Sequence, residues 1–406
     1  LTTAVDIIKL PYDSNEYTTL TGNGSMPYQI VVSQDGNVYI ALDYLAQYTA
    51  LQYSVEQEPL HIIINNQWGT KTFSDVIKEE SVRLDADIKS PILKKEAVGD
   101  KVTVLEQEEE WTKVLTADGY IGYMKSKKLS DSYEEQVTSD FRAAEYTSIH
   151  KDYDMNLLWH QVTSQDSNDA LAADIQDVKG VNVISPTWFS ISSNDGDISS
   201  LASSDYVDTA HQNDMEVWGL MDNFSTDIDT DTVLGTTTSR ENLEGQLITE
   251  ALNYQLDGIN IDIESLPEET SESYVQFMRE LSVKCRNNNL VLSVDVPPPY
   301  SFNEHYSQKE LGEVVDYVII MGYDEHYVGS DAGSVASLSY ERDGITGTLE
   351  NVPKEKIISG IPFYTRLWKT NASGEVSSEA IGMDKADQIL SDYKVTAGWS
   401  SETSQD

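Results

Sequence analysis

The chain has 406 residues, 69 of them acidic and 27 basic, for a net charge of −42 at neutral pH. Such a surface repels phosphate backbones and anionic headgroups, which argues against nucleic acid as a partner and against an anionic membrane. A hydrophobic content of 39% with 9% aromatics is enough for sizeable cores, so the chain is globular, and its length predicts two or three domains. No run of about 18 apolar residues occurs, so no membrane span is expected. The opening stretch LTTAVDIIKLPYD lacks a basic region followed by an apolar one. A signal peptide, if the gene encodes one, is expected to have been removed.

Residues 1–77 mix short alternating runs with turn signals. IVVSQDGNVYIALDYLAQYTAL reads as a strand, a turn at Asp35-Gly36, a second strand and a short helix, and PLHIIINN reads as a further strand. The pattern resembles the small N-terminal domain of copper amine oxidases, and that resemblance implies no copper chemistry. Residues 78–133 contain KVTVLEQEEEWTKVLTADGYIGYMKSKKL, three β-rich runs separated by an acidic turn and by Asp118-Gly119, a tight-turn pair. Trp111, Tyr120 and Tyr123 are expected to fill a small barrel core. This segment resembles the bacterial SH3-like modules found beside cell-wall enzymes, which implies either wall attachment or a spacer. SDSYEEQVTSD (130–140) is polar and acidic and reads as a linker or a short exposed helix, so residues 134–150 are expected to form a linker.

From residue 151 to 406 the texture changes. MNLLWHQV, VNVISPTWFSI, EVWGLMDN, GINIDIE, LVLSVDVPPP, DYVIIMGYD and KIISGIPFY are apolar runs, most of them separated by helical patterns. Strands that are apolar throughout and alternate with helices indicate a parallel sheet covered on its outer side. Seven units over roughly 250 residues fit an α/β fold of the (β/α)8 TIM-barrel type. The eighth strand is not evident: after Tyr364 only a helix, KADQILSDYK, and a short VTAGWS follow, and an open barrel would leave two long edges. The barrel is therefore expected to be incomplete at its C-terminal end. Cys285, the one cysteine, falls on a helical stripe with Tyr274, Phe277, Met278 and Leu281, which predicts a packing role.

The segment QLDGINIDIES (255–265) carries the chemistry. Side chains alternate along a strand, so Ile259, Ile261 and Ile263 face one way while Asn260, Asp262 and Glu264 face the other. In a barrel the isoleucines meet the helices and the polar trio meets the axis, with Glu264 at the C-terminal mouth. An unpaired buried carboxylate costs on the order of several kcal/mol, which function would offset. A calcium loop needs many oxygens on a flexible turn, which this strand does not supply.

LDGINIDIE resembles the Asp-Gly-x-Asp-x-Asp-x-Glu signature of glycoside hydrolase family 18, with Asp257, Gly258, Asp262 and Glu264 matching and Asn260 in place of an aspartate. IIMGYDEH is similar to the family's Met-x-Tyr-Asp segment at Met321, Tyr323 and Asp324, and GIPFYTRLW to its seventh strand. With an SH3-like neighbour, the resemblance points to the bacterial spore- and wall-associated branch. It implies a glycosidase acting on β-1,4-linked N-acetylglucosamine polymers, peptidoglycan or spore cortex rather than chitin, located outside the cell or on its wall, without cofactor or metal.

Glycoside hydrolysis usually needs carboxyls on opposite sides of the scissile bond. Asp262 and Glu264 instead share one strand face, with Cα atoms roughly 6.6 Å apart. Asp262 is thus poorly placed as an opposing nucleophile, and the remaining route is attack by the substrate's own 2-acetamido oxygen. The expected roles are Glu264 as general acid and then base, Asp262 orienting the acetamido group, Tyr323 holding the N-acetyl oxygen and Asn260 supporting Asp262. Asp324 either supports the site or caps a helix. Trp188, Asn223, Tyr364, Arg366 and Trp368 stand at or past predicted strand ends, where they either stack on sugars or pack. His160, His305 and His326 lack metal-ligand spacing. A rival reading is a lectin-like surface protein with weak or no catalysis.

Overall fold

The computed structural model describes residues 1–57 and 59–405. By internal contacts they form two units, one of Leu1 with Ile8–Ala144, the other of Thr2–Ile7 with the chain from Glu145 onward.

The first unit is β-rich. Val31–Gln34 and Asn37–Ile40 pair as an antiparallel hairpin, and its loop residues Asp35 and Gly36 both take positive φ, 52° and 77°. That mirror-image turn suits the natural strand twist and admits little besides glycine and short polar residues. The short helix Leu42–Leu45 and the strand Leu60–Asn65 stand where the sequence predicts them. The partner of the latter is Gln52–Gln57, whose apolar alternation is short and rests on Tyr53 and Val55 alone. A small core forms around Ile30, Val31 and Tyr44.

A seven-stranded antiparallel sheet follows, running from Gly69–Asp75 to Tyr133–Val137. These two polar strands pair with each other, so the sheet crosses the boundaries expected at 77 and 133, and the expected linker keeps irregular backbone only from Thr138. Its core is aliphatic: Val76, Val82, Val102, Val114, Met124 and Leu129. Of the three aromatics expected there, Trp111 is buried beneath the Lys125 ammonium, whereas Tyr120 and Tyr123 are half-exposed.

The second unit is an α/β sheet of seven parallel strands in chain order: β1 (Leu157–His160), β2 (Val183–Ile191), β3 (Glu216–Asp222), β4 (Gly258–Asp262), β5 (Val291–Val296), β6 (Tyr317–Met321) and β7 (Ile357–Gly360). Helices α1 (Ser204–Gln212), α2 (Thr237–Asn253), α3 (Ser271–Asn287), α4 (Gln308–Val314) and α5 (Leu338–Leu349) lie between them in sequence. Side chains of α1 to α4 and the outward residues of the strands share one core. On α3, Tyr274, Phe277, Met278, Leu281 and Cys285 are all buried, and burial pushes the Cys285 thiol far above its ordinary pKa, consistent with a packing role.

The sheet curls. β1 and β7 are its two edges, yet a Cβ added at Gly360 on β7 would lie 2.7 Å from the Trp159 ring on β1. Glycine here leaves room for that ring. No eighth parallel strand occurs among the described residues. After β7 the chain forms an antiparallel hairpin, Tyr364–Thr370 with Val376–Gly382, and then the expected helix α6 (Met383–Tyr393). Asp257, though part of the matched signature, is a tie at the opposite end: its carboxylate accepts the Val217 N–H at 2.8 Å and lies 2.8 Å from His211 Nε2.

Candidate active site

Every residue of β4 is buried. Ile259, Ile261 and Ile263 join the core shared with the helices. Asn260 does the opposite. Its Oδ1 accepts the Trp159 indole N–H from β1 and the Ser185 hydroxyl from β2, each at 3.0 Å, while its Nδ2 donates to Asp295 on β5 at 2.9 Å. One side chain can reach three other strands only by crossing the interior of the curl. The two donors on Oδ1 also fix which way the amide points.

Asp262, two residues on, shares that face and is 8% exposed; its Oδ1 is buried and has no hydrogen-bond partner within the protein. Burial first, then the charges of Glu264 and Asp222, raise its pKa well above the carboxylate range. Asp222 ends β3 abreast of Asp262 and accepts from the Ser190 hydroxyl and the Phe224 N–H, both at 3.0 Å.

Glu264 lies just past β4, at the open C-terminal edge of the sheet. Asn223 clamps its backbone: the Glu264 N–H donates to Asn223 Oδ1 and Asn223 Nδ2 donates to the Glu264 carbonyl, each at 3.0 Å. Ser265 then turns the chain away at φ 52°. The carboxyl reaches solvent, yet the protein surrounding it, followed by the charges of Asp324 and Asp222, raises its pKa.

Tyr323 follows β6 with its ring edge-on to both Trp159 and Tyr364, centroids 6.2 Å away in each case. Asp324 takes a positive φ of 58°, accepts the Tyr364 hydroxyl at 2.8 Å and pairs with Arg366 at 3.5 Å. It therefore anchors the hairpin after β7 instead of capping a helix. Met321 and Glu264 share a cavity of about 400 Å3 whose far wall carries the exposed Phe302, stacked on Tyr300 with centroids 5.6 Å apart.

The structure thus brings Asn260, Asp262, Glu264, Tyr323, Met321, Asp324, Asn223, Tyr364 and Arg366 to one end of the sheet. Trp188 does not join them. Trp188 lies inside β2 on the helix-facing side, 1% exposed, with its indole N–H on Asn168 and its ring against Tyr206. Trp368 is tied to the Gly333 carbonyl. His160 stacks on Tyr206, and among the described residues no group of histidines, cysteines or carboxylates is arranged to hold a metal.

Four contributors escaped the sequence reading: Trp159, Ser185, Asp222 and Asp295. For Asp295 the signal was present. LSVDV alternates small or polar with apolar residues as GINIDIE does, and Asn260 is paired with Ser293 across the strands.

Residues 217–405 match the family model described as glycosyl hydrolases family 18. That stretch, a little under half of the chain, is similar to family 18. Residues 81–130 match the bacterial SH3 domain. Among curated proteins, the family 18 part is similar to one named as the sporulation-specific glycosylase YdhD of Bacillus subtilis, with 31% identity over 183 residues, 44% of this chain and 43% of that one. The cortical fragment-lytic enzyme of the same organism is 28% identical over 142 residues, 34% of this chain and 33% of that one. The matches thus span less than half the length of either relative. The crystal structure of the spore cortex-lytic enzyme SleL from Bacillus megaterium superposes with a TM-score of 0.54 at 20% identity, covering 66% of this chain and 65% of that one, which supports the family 18 fold.

Proposed function

We propose that the second unit is a glycosidase that cleaves β-1,4-linked N-acetylglucosamine polymers with retention, using the substrate's acetamido group as nucleophile. The observation that carries this reading is the unpartnered Asp262 Oδ1, a buried acceptor beside a general-acid candidate. A buried acceptor left unpaired costs about 1–3 kcal/mol, and an acetamido N–H would satisfy it. Three strands of polar contacts to Asn260 keep the neighbouring face rigid.

Glu264 gives its proton to the glycosidic oxygen while the acetamido oxygen attacks the anomeric carbon. Asp262 accepts from the acetamido N–H and balances the positive charge of the oxazolinium ring. Glu264 then takes a proton from the incoming water, which opens that ring from the face the leaving group vacated. Tyr323 stands beside Trp159, where its hydroxyl can hold the N-acetyl oxygen. The Phe302–Tyr300 stack offers a sugar-sized platform beside Glu264.

The raised pKa of Glu264 has a definite consequence. A general acid works below its pKa, so activity persists above the ordinary carboxylate range and falls as pH rises through the shifted value. Peptidoglycan or spore cortex is the favoured substrate, because the related glycosylases are named for sporulation and cortex and an SH3 module lies in the same chain. In this reading the strands β1 to β7 are laid out as in a (β/α)8 barrel, the SH3 module attaches the protein to the wall, and the protein works outside the cell.

Incubation with purified peptidoglycan and with chitin oligomers, followed by identification of the new reducing sugar, tests the proposal. N-acetylglucosamine reducing ends are expected, faster from peptidoglycan. The Glu264→Gln variant should retain glycan binding and lose at least 100-fold in rate. Binding without any release of reducing ends by the unaltered protein would favour a lectin-like role.

A further inference from the structure

Asp295 is a buried carboxyl that takes no part in the proton transfers of Glu264. It is 1% exposed, on β5, and its Oδ1 accepts the Asn260 amide. Ile261 is paired with Val294, so the next residues along the two parallel strands, Asp262 and Asp295, stand abreast and point to the same side. The groups that face the pair are Asp222 from β3, Glu264 beyond β4, Tyr274 from α3, Tyr306 before α4 and Tyr323 beyond β6. None of these carries a positive charge, and Arg366 is engaged on Asp324.

We propose that Asp295 is a positioning residue that holds a single proton in common with Asp262. Two adjacent carboxyls in a buried site cannot both ionise without a large electrostatic cost, so the first proton leaves readily and the second is retained. Asn260 cannot take part, because its Nδ2 is already donating to Asp295 and an amide does not accept a proton at neutral pH. The retained proton moves to Asp295 when Asp262 meets the developing positive charge, leaving Asp262 as the anion. It returns to the shared position when the oxazolinium ring opens. No proton is gained or lost by the pair in a turnover, and Glu264 alone exchanges with the leaving group and water. Burial and the neighbouring Asp262 both push Asp295 in the direction this requires.

The catalytic part of this inference rests on the glycosidase reading, so the test has two independent arms. In the first, Asp295→Asn preserves shape and the acceptor for Asn260 but cannot take a proton. Its kcat should fall on the order of 10–100-fold with KM little changed and with the acidic limb of the kcat–pH profile displaced. The double variant Asn260→Asp/Asp295→Asn, which returns a carboxyl to Asp262's side, should recover most of the loss. A single variant with the unaltered kcat and pH profile, or a double variant no better than the single, would overturn the proposal.

The second arm is a carbon-13 carboxyl titration of the unaltered protein, which needs no activity and stands even if Asp295→Asn fails to fold. It should show the pair losing its protons in two separated steps, with one proton kept at pH 7. Two ionised carboxylates at pH 7 would overturn the proposal. A protein that titrates in two steps yet cleaves no glycan would sink the glycosidase reading and leave the shared proton standing.

Discussion

Asn223 shows how one side chain sets the geometry of another. It touches no reacting atom, yet its amide reads the Glu264 backbone as a neighbouring strand would, donating and accepting at 3.0 Å, and it is itself braced by the Thr230 hydroxyl at 3.0 Å. Glu264 lies beyond the last ladder bond of β4, so without this clamp its backbone is free to move. A misplacement of about 1 Å can cost on the order of 100-fold in rate. Asn223→Ala is therefore expected to lower kcat roughly 10–100-fold while the melting temperature stays close to that of the unaltered protein. An Asn223→Ala enzyme with unaltered kcat would leave Glu264 positioned by something else. At this scale the sequence made legible what lies along one strand: Asn260, Asp262 and Glu264 follow from alternation alone. It hid what reaches across strands. Asp222 and Asp295 meet β4 from its two neighbouring strands, and Trp159 and Ser185 reach it only after the sheet curls. Trp188 alternates with Ser185 onto the helix-facing side of β2, and its neighbours Tyr206 and Asn168 come from segments that do not adjoin it.

Between elements, α2 and α3 are joined by the Arg240–Glu280 ion pair at 2.8 Å and by a Lys284–Glu244 contact at 2.7 Å in the opposite sense. Glu244 is fully buried, and desolvation outweighs the lysine, pushing its pKa up to about 8. The folded protein then keeps a proton that the unfolded chain releases near the ordinary glutamate value. Stability from this group is complete at acid pH and is lost as pH rises toward 8, at about 1.4 kcal/mol per pH unit for one proton. Asp262 and Asp295 act in the same direction. Urea midpoints should thus be lower at pH 8 than at pH 5, and Glu244→Gln should narrow that difference. An equal difference in the variant would show that Glu244 is ionised in the folded state. The parallel strands were legible because they are apolar on both faces, and α3 because its stripe keeps helical spacing. The hairpin Tyr364–Thr370 with Val376–Gly382 was not, since its exposed second strand, VSSEAIG, carries no apolar face. The strand Tyr133–Val137, YEEQV, is polar and mostly exposed, so it gives no such signal either.

Over the whole molecule, the excess of acidic residues is spread across a β-rich unit and an α/β unit, each with its own core. Among the described residues no helix is long and apolar enough to cross a membrane. The buried carboxyls of the candidate site converge at one end of one sheet, and among the described residues no group is arranged to hold a metal. In the proposed mechanism, one glutamate at the rim and one buried aspartate beside it leave the opposite face of the sugar to its own acetamido oxygen. That placement dictates stereochemistry. Proton NMR of the first product released from a chitin oligomer or a peptidoglycan strand, recorded before mutarotation, reads it directly. The β anomer is expected at the new reducing end. An initial α anomer would mean that water attacks from the far side with the help of a base that this geometry does not contain.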